Sequence, residues 1–325
     1  MSQNWQQQLS RSIKSSEELK NQPQTAGTSG LFSEQASQQF RLKIPADFLN
    51  HVINIESDPL LLQVLPRHEE TLTTAGFHQD PVGDLSAMAT PGLIHKYKNR
   101  ALFIVTGACA IHCRYCFRRH FPYSDAQINN ENWEPAFQYL RAHEEITEII
   151  LSGGDPLMIS DEKLAYLIEQ LEQIEHIKRL RIHSRIPSVL PERINTQFIR
   201  LLEDSRFYVS LVTHINHSNE LNEKNKSVFK MMQKTRIQLL NQSVLLADIN
   251  NNSKTLIDLS EKLYENGILP YYLHLLDPVQ GAAHFCVKEA DARSLMDEMT
   301  NGLPGYLVPK LVREISGEQA KTRIL

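Results

Sequence analysis

No stretch of this 325-residue chain comes near the roughly 18 consecutive apolar residues that a membrane-crossing helix needs. Residues 1–24, rich in Gln, Ser and Lys, lack the apolar centre of a secretory signal. A surplus of one charge sign is missing too: 34 Lys and Arg stand against 38 Asp and Glu, a net charge of −4. Bulk electrostatics therefore give no reason to expect a nucleic-acid or bilayer partner. Cysteine is scarce, with four in the whole chain. A disulfide scaffold would spread its cysteines, but three of these fall within eight residues. Internal repeats and long low-complexity tracts are absent. The expectation is a cytoplasmic protein whose clustered thiols bind metal or do chemistry.

What is present changes character along the chain. Up to about residue 94, helical patterns at 4–19 and 44–54 alternate with polar breaks such as 22–30. From Ala101 onward short apolar runs read as buried strands at 101–106, 148–151, 179–183, 208–213, 243–247 and 270–275. Helical stretches lie between them at 131–143, 161–175, 194–203, 219–234 and 255–266, with another at 288–299, and Asp161 is placed to cap the second of these. Six strand–helix alternations imply parallel strands with crossover helices, in a doubly wound sheet or a barrel. Six units are too few for a closed eight-stranded barrel, but a partial barrel fits. Both folds put their sites at the C-terminal ends of the strands. The cysteine loop follows the first strand, Ser152-Gly153-Gly154-Asp155 the second, His183-Ser184-Arg185 the third, His214 the fourth and Asp277 the sixth.

The cysteine loop, Cys109-Ala110-Ile111-His112-Cys113-Arg114-Tyr115-Cys116, has the spacing CxxxCxxC. Three thiolates can hold three irons of a cubane cluster and leave the fourth iron open, whereas most Fe–S clusters are fully thiolate-ligated. An open iron can chelate the amino and carboxylate groups of S-adenosylmethionine (SAM), which one electron then cleaves to a radical. Two plainer readings are structural cysteines and a zinc site. Zinc usually takes four ligands in paired CxxC-type spacing, and His112, inside the loop, is poorly placed as the fourth. Cys286, far off in sequence, reads as a small buried hydrophobe. Gly153 and Gly154 at a strand end allow close backbone approach.

With their neighbours included, these motifs sharpen. The runs His95-Lys96-Tyr97-Lys98-Asn99-Arg100, Cys113-Arg114-Tyr115-Cys116-Phe117-Arg118-Arg119, Ser152-Gly153-Gly154-Asp155-Pro156-Leu157, Asn241-Gln242-Ser243-Val244-Leu245-Leu246 and Gly281-Ala282-Ala283-His284-Phe285 together resemble the lysine 2,3-aminomutase family of radical SAM enzymes. The resemblance covers about residues 90 to 321. It is nearest to the short bacterial branch that makes (R)-β-lysine for modification of translation elongation factor P.

The resemblance implies a partial (β/α)6 TIM-like barrel over residues 95–300, a helical N-terminal region over 1–94 and a C-terminal segment over 301–325. It implies a [4Fe–4S] cluster on Cys109, Cys113 and Cys116, SAM, and pyridoxal 5′-phosphate (PLP) joined as an imine to Lys321, an amine suited to exchange with the substrate's own. It also implies that Tyr97 and Arg100 contact PLP, with the guanidinium on the phosphate. Gly153, Gly154, Asp155, His214 and Gln242 are implied to contact SAM. Arg118 is implied to pair with the carboxylate of L-lysine, and Asp277 with Glu314 to pair with its ε-ammonium. Longer members of the family carry Asp where this chain has Glu314. An electron donor such as flavodoxin or ferredoxin and a functional link to the elongation factor P modification enzyme are further implications. Another amino acid as substrate is an alternative; two acids in a low-dielectric pocket speak against an acidic one. A non-catalytic Fe–S protein with this fold is a second alternative.

Overall fold

The computed structural model describes residues 5–25, 30–53, 57–124 and 133–324. Ten strands form one sheet in chain order: β1 Met88–Thr90, β2 Leu93–Tyr97, β3 Arg100–Thr106, β4 Glu148–Gly153, β5 Arg179–Ser184, β6 Tyr208–His214, β7 Gln238–Leu245, β8 Leu269–Leu275, β9 Lys310–Arg313 and β10 Thr322–Arg323. From β3 to β9 every neighbouring pair is parallel. The β1–β2, β2–β3 and β9–β10 pairs are antiparallel. Among the described residues no pairing joins β10 to β1, so the sheet is a barrel left open between its edges.

Six helices make the crossovers: α1 Glu134–Ala142, α2 Asp161–Glu172, α3 Thr196–Asp204, α4 Glu223–Met232, α5 Ser253–Glu265 and α6 Glu289–Gly302. Their starts are written in the sequence. Ser160, Asn195, Asn222 and Asn252 each accept a hydrogen bond from a backbone N–H of the first turn. The cap of α2 is thus Ser160, not the expected Asp161; Asp161 occupies the first helical position and pairs with Arg193 at 2.7 Å. Each crossover helix buries an apolar stripe, such as Phe198, Ile199 and Leu202 on α3. That stripe packs on the outward residues of the strands, and the alternate strand residues face the barrel interior.

Five of the six expected strands fall within two residues of their observed bounds. The expected 243–247 is instead β7, Gln238–Leu245. There Asn241 and Ser243 occupy buried outward positions and bond Ile215 and Thr213, so polar letters disguise a strand. The four short strands β1, β2, β9 and β10 were not expected.

The expected helix over 4–19 is two short helices, Trp5–Ser10 and Ser16–Lys20. Between them Ile13 exchanges backbone hydrogen bonds with Ile44 at 2.8 and 3.0 Å. That bridge also removes Ile44 from the expected helix over 44–54, of which Ala46–Leu49 alone is helical. Asn4, Asn54 and Glu131, at the edges of expected helices, lie outside the described residues. Ile13, Leu42, Ile44, Phe48, Leu60 and Leu61 share one core cluster with barrel residues such as Phe103 and Leu151.

Candidate active site

The barrel interior opens into a cavity of about 370 Å³. Every candidate residue lines it: Tyr97, Arg100, Cys109, Cys113, Cys116, Arg118, Gly153, Gly154, Asp155, His214, Gln242, Asp277, Glu314 and Lys321. Residues more than 200 positions apart meet there because each sits in the barrel wall or at the end of a strand.

The cysteine loop is held from both sides. The turn after β4 reaches it through two backbone bonds, Gly154 N–H to Thr106 O at 2.7 Å and Asp155 N–H to Ala108 O at 2.8 Å. A Cβ on Gly153 would collide with the Thr106 carbonyl and one on Gly154 with the Ala108 carbonyl. Gly153 also has φ +129°, which L side chains rarely adopt. These glycines thus admit the cysteine loop's own backbone. The Asp155 carboxylate accepts from Leu157 N, Ser184 Oγ, Arg185 N and Ile186 N at 2.8–3.3 Å. Both its oxygens are engaged in tying β4 to β5, and the turn presents backbone to the cavity.

From the other side come residues 36–70. His112 N–H donates to Lys43 O, Arg114 N–H to Gln63 O, and Lys43 Nζ to Cys109 O at 2.6 Å. The fully buried Arg114 forks onto Glu70 (2.7–3.0 Å) and onto the carbonyls of Ala36 and Phe40. Arg119 binds the same Glu70 at 2.9 Å. Glu70 thus serves two buried guanidiniums with charge-assisted bonds, although Arg119 Nε has no partner among the described residues.

Burial, then the neighbouring Cys116, Asp155 and Cys113, pushes the Cys109 thiol well above its usual range. Burial and Cys113 push Cys116 up to about 11. The raised thiols of Cys109 and Cys116 fit a metal cluster, whose iron supplies the compensating charge. Among the described residues, no three His, Cys, Asp or Glu side chains are arranged to hold a single metal ion.

Deeper in the cavity runs a chain of alternating charges. Arg118 Nε binds Asp84 at 2.7 Å, Asp84 binds Lys96 at 2.6 Å, Lys96 binds Glu314 at 3.0 Å, and Glu314 binds Lys321 at 2.5 Å. Burial alone would raise Glu314, but Lys321 and Lys96 hold it at about 2. Asp277 differs. One of its oxygens is buried with no partner among the described residues. Burial, with the charge of Glu314 nearby, raises its carboxyl to about 7. An orphaned acid facing a cavity fits a cationic ligand group. Arg100 spends one N–H on Asn99 and lies 4.1 Å over the Tyr97 ring; its guanidinium at the cavity wall fits a phosphate.

The sequence reading gave no role to Asp84, Lys96, Arg185, His183 or His274, although all line the cavity. Lys96 lies inside a recognised run, and His183 and Arg185 lie at a strand end, which was the available signal. Asp84 sits in a polar loop with no mark on it. Burial and the cations Arg181 and Lys321 keep His183 well below its usual range, and burial and Lys321 do the same to His274. His214 falls to about 3 through burial and Arg185, and bonds Tyr115 at 3.0 Å.

The profile of the radical SAM superfamily matches residues 103–238. The chain is 49% identical over 293 residues to L-lysine 2,3-aminomutase of Escherichia coli K12, covering 90% of this chain and 85% of that protein. It is 47% identical over 288 residues to the Haemophilus influenzae protein of that name, covering 88% and 85%. Against the Clostridium subterminale L-lysine 2,3-aminomutase it is 32% identical over 324 residues, covering 99% and 77%.

Proposed function

The chain belongs to the lysine 2,3-aminomutase family of radical SAM isomerases, whose membership implies a [4Fe–4S] cluster, SAM and PLP, and we propose that it converts L-lysine to (R)-β-lysine. The cluster with SAM supplies the radical chemistry and PLP the handle on the migrating nitrogen. The observation that carries the reading is the cavity's cast. Three thiols, a lysine amine, a buried guanidinium and a carboxylate with one partnerless buried oxygen line one cavity.

In this reading Cys109, Cys113 and Cys116 hold the cluster. The backbone of Gly153 and Gly154, positioned by Asp155, receives SAM beside His214 and Gln242. Lys321 holds PLP, with Tyr97 and Arg100 at its ring and phosphate. Arg118 orients the lysine carboxylate, and its bond to Asp84 fixes where the guanidinium points. Asp277 and Glu314 receive the ε-ammonium. Glu314 already carries two ammonium groups, Lys96 and Lys321. The substrate's ε-ammonium would have to share Glu314 with these two amines or displace one of them. The depressed imidazoles of His183, His214 and His274 add no positive charge to a cavity that must accept a cation.

We further propose, on the resemblance to the short bacterial branch, that the product serves modification of elongation factor P in the cytoplasm and that a flavodoxin or ferredoxin supplies the electron. Among the described residues no helix is long and apolar enough to cross a membrane. The test is anaerobic reconstitution with iron, sulfide, PLP, SAM, a reductant and L-lysine, followed by chiral analysis of the product. Formation of (R)-β-lysine is expected. An intact cluster that cleaves SAM while lysine stays unchanged would overturn the substrate assignment.

A further inference from the structure

Arg185, just past β5, carries a buried guanidinium that the preceding reading leaves unused. Its Nη1 donates to Cys113 Sγ at 2.7 Å and to the Tyr115 hydroxyl at 2.8 Å. Its Nη2 donates to Gln63 Oε1 at 2.7 Å and to Glu220 Oε2 at 3.1 Å. Four acceptors on three separate segments, the cysteine loop, Gln63 and Glu220, pin the group in place. Its backbone is pinned as well, because Arg185 N–H donates to Asp155 at 2.8 Å. Glu220, 1% exposed, neutralises the charge and is itself held by the N–H groups of Asn216 and His217. Among the described residues, Cys113 is the one thiol of the three that receives a side-chain N–H. Such a group is costly to bury unless its bonds are made, and here one of them ends on a sulfur.

We propose that Arg185 is a positioning residue that hydrogen-bonds the Cys113 sulfur in the cluster and thereby raises the cluster's reduction potential. This rests on the assignment of Cys113 as a cluster ligand. The reaction concerned is the transfer of one electron from an external one-electron donor to the cluster. No bond breaks in Arg185, and its proton stays on the guanidinium. Reduction adds negative charge that is shared by the ligand sulfurs. A fixed N–H aimed at one of them therefore stabilises the reduced form more than the oxidised form. The arrangement makes the cluster easier to reduce.

The test uses the full chain with its cluster reconstituted and with SAM, lysine and PLP omitted. Midpoint potentials are measured by anaerobic titration followed by electron paramagnetic resonance. Two variants are compared with the unaltered chain. Arg185→Lys keeps the charge but not the fork, and Arg185→Gln with Glu220→Gln removes both charges together. In each, the ratio of reduced to oxidised cluster at fixed potential should fall about tenfold, about 59 mV for one electron. A variant with full iron and an unmoved midpoint would overturn the proposal. A second measurement needs no variant. With guanidino-15N arginine, pulsed resonance of the reduced cluster should show a weakly coupled nitrogen, and its absence would also overturn the proposal. Iron and sulfide analysis separates the two levels. A chain that assembles no cluster on its three cysteines defeats the ligand assignment, whereas a full cluster with no nitrogen coupling defeats the role of Arg185 alone.

Discussion

Asp277 gives the sharpest test of how the cavity recognises lysine. In the free chain its carboxyl titrates near 7, raised by burial and by the Glu314 charge. The ε-ammonium of lysine stays charged across neutral pH, and binding it requires the carboxylate. Below pH 7 the acid is mostly protonated and the partner is lost; above pH 7 it is ionised and ready. The ionised fraction is about one-tenth at pH 6 and about nine-tenths at pH 8. Apparent affinity scales with the fraction in the competent form. Norleucine has no ammonium but shares the α-amine, so comparing the two cancels the α-amine's own titration. The lysine-to-norleucine affinity ratio should therefore rise about tenfold from pH 6 to pH 8, about 1.4 kcal/mol. The neighbouring acids stay out of this window, with Glu314 at about 2 and Asp84 held low, and the cavity's His183 and His274 are held low as well. The assay is anaerobic titration of both amino acids into PLP-loaded protein with the cluster oxidised, read by cofactor absorbance. A ratio that stays flat, or an Asp277→Asn variant that keeps the slope, would refute the reasoning.

Three further outcomes are expected. Cys109→Ala, Cys113→Ala and Cys116→Ala should each lose the broad visible absorption and most of the iron, whereas Cys286→Ala, at a position that is exposed and not buried as the sequence suggests, should keep both. Borohydride reduction followed by peptide mapping should place a pyridoxyl group on Lys321; Lys321→Ala should lose that label and keep its iron. Glu70→Gln leaves the buried Arg114 and Arg119 short of their shared anion, and denaturant unfolding of the cluster-free chain should show a loss of about 3–5 kcal/mol.

Much of this was legible in the sequence, for identifiable reasons. Strands buried on both faces are nearly continuous apolar runs, as at Glu148–Gly153, and a reader of hydrophobicity finds them. The cysteine spacing and the glycine pair are local, so their place in the barrel followed from the strands before them. Gln238–Leu245 was misread because its buried outward positions hold Asn241 and Ser243, satisfied by bonds to the preceding strand. Period and polarity cannot show bonds that form only in three dimensions. The glycine pair was found, but the reason for it was only partly seen: the collision it avoids is with the cysteine loop's carbonyls. Asp84 was invisible because its importance lies in Arg118 and Lys96, neither adjacent in sequence. Lys321 was legible through resemblance alone, since a terminal lysine ordinarily points to solvent.

The anchoring of the cysteine loop by Lys43, Gln63 and Glu70 on one side and by Gly154 and Asp155 on the other sets an order of events during synthesis. The upstream anchors leave the ribosome first but have nothing to grip. The thiols follow about 40 residues later, and the second strand that closes the clasp follows after roughly as many again. The contacts that fix the loop can be complete only after chain on both sides of it has been made. Iron offered before that moment meets three unrestrained thiols, and iron offered after it meets a preset mouth. A chain shortened to begin at β1 would still possess every cysteine, the glycine pair and all ten strands. It would bind iron less selectively, because half of the clasp would be gone.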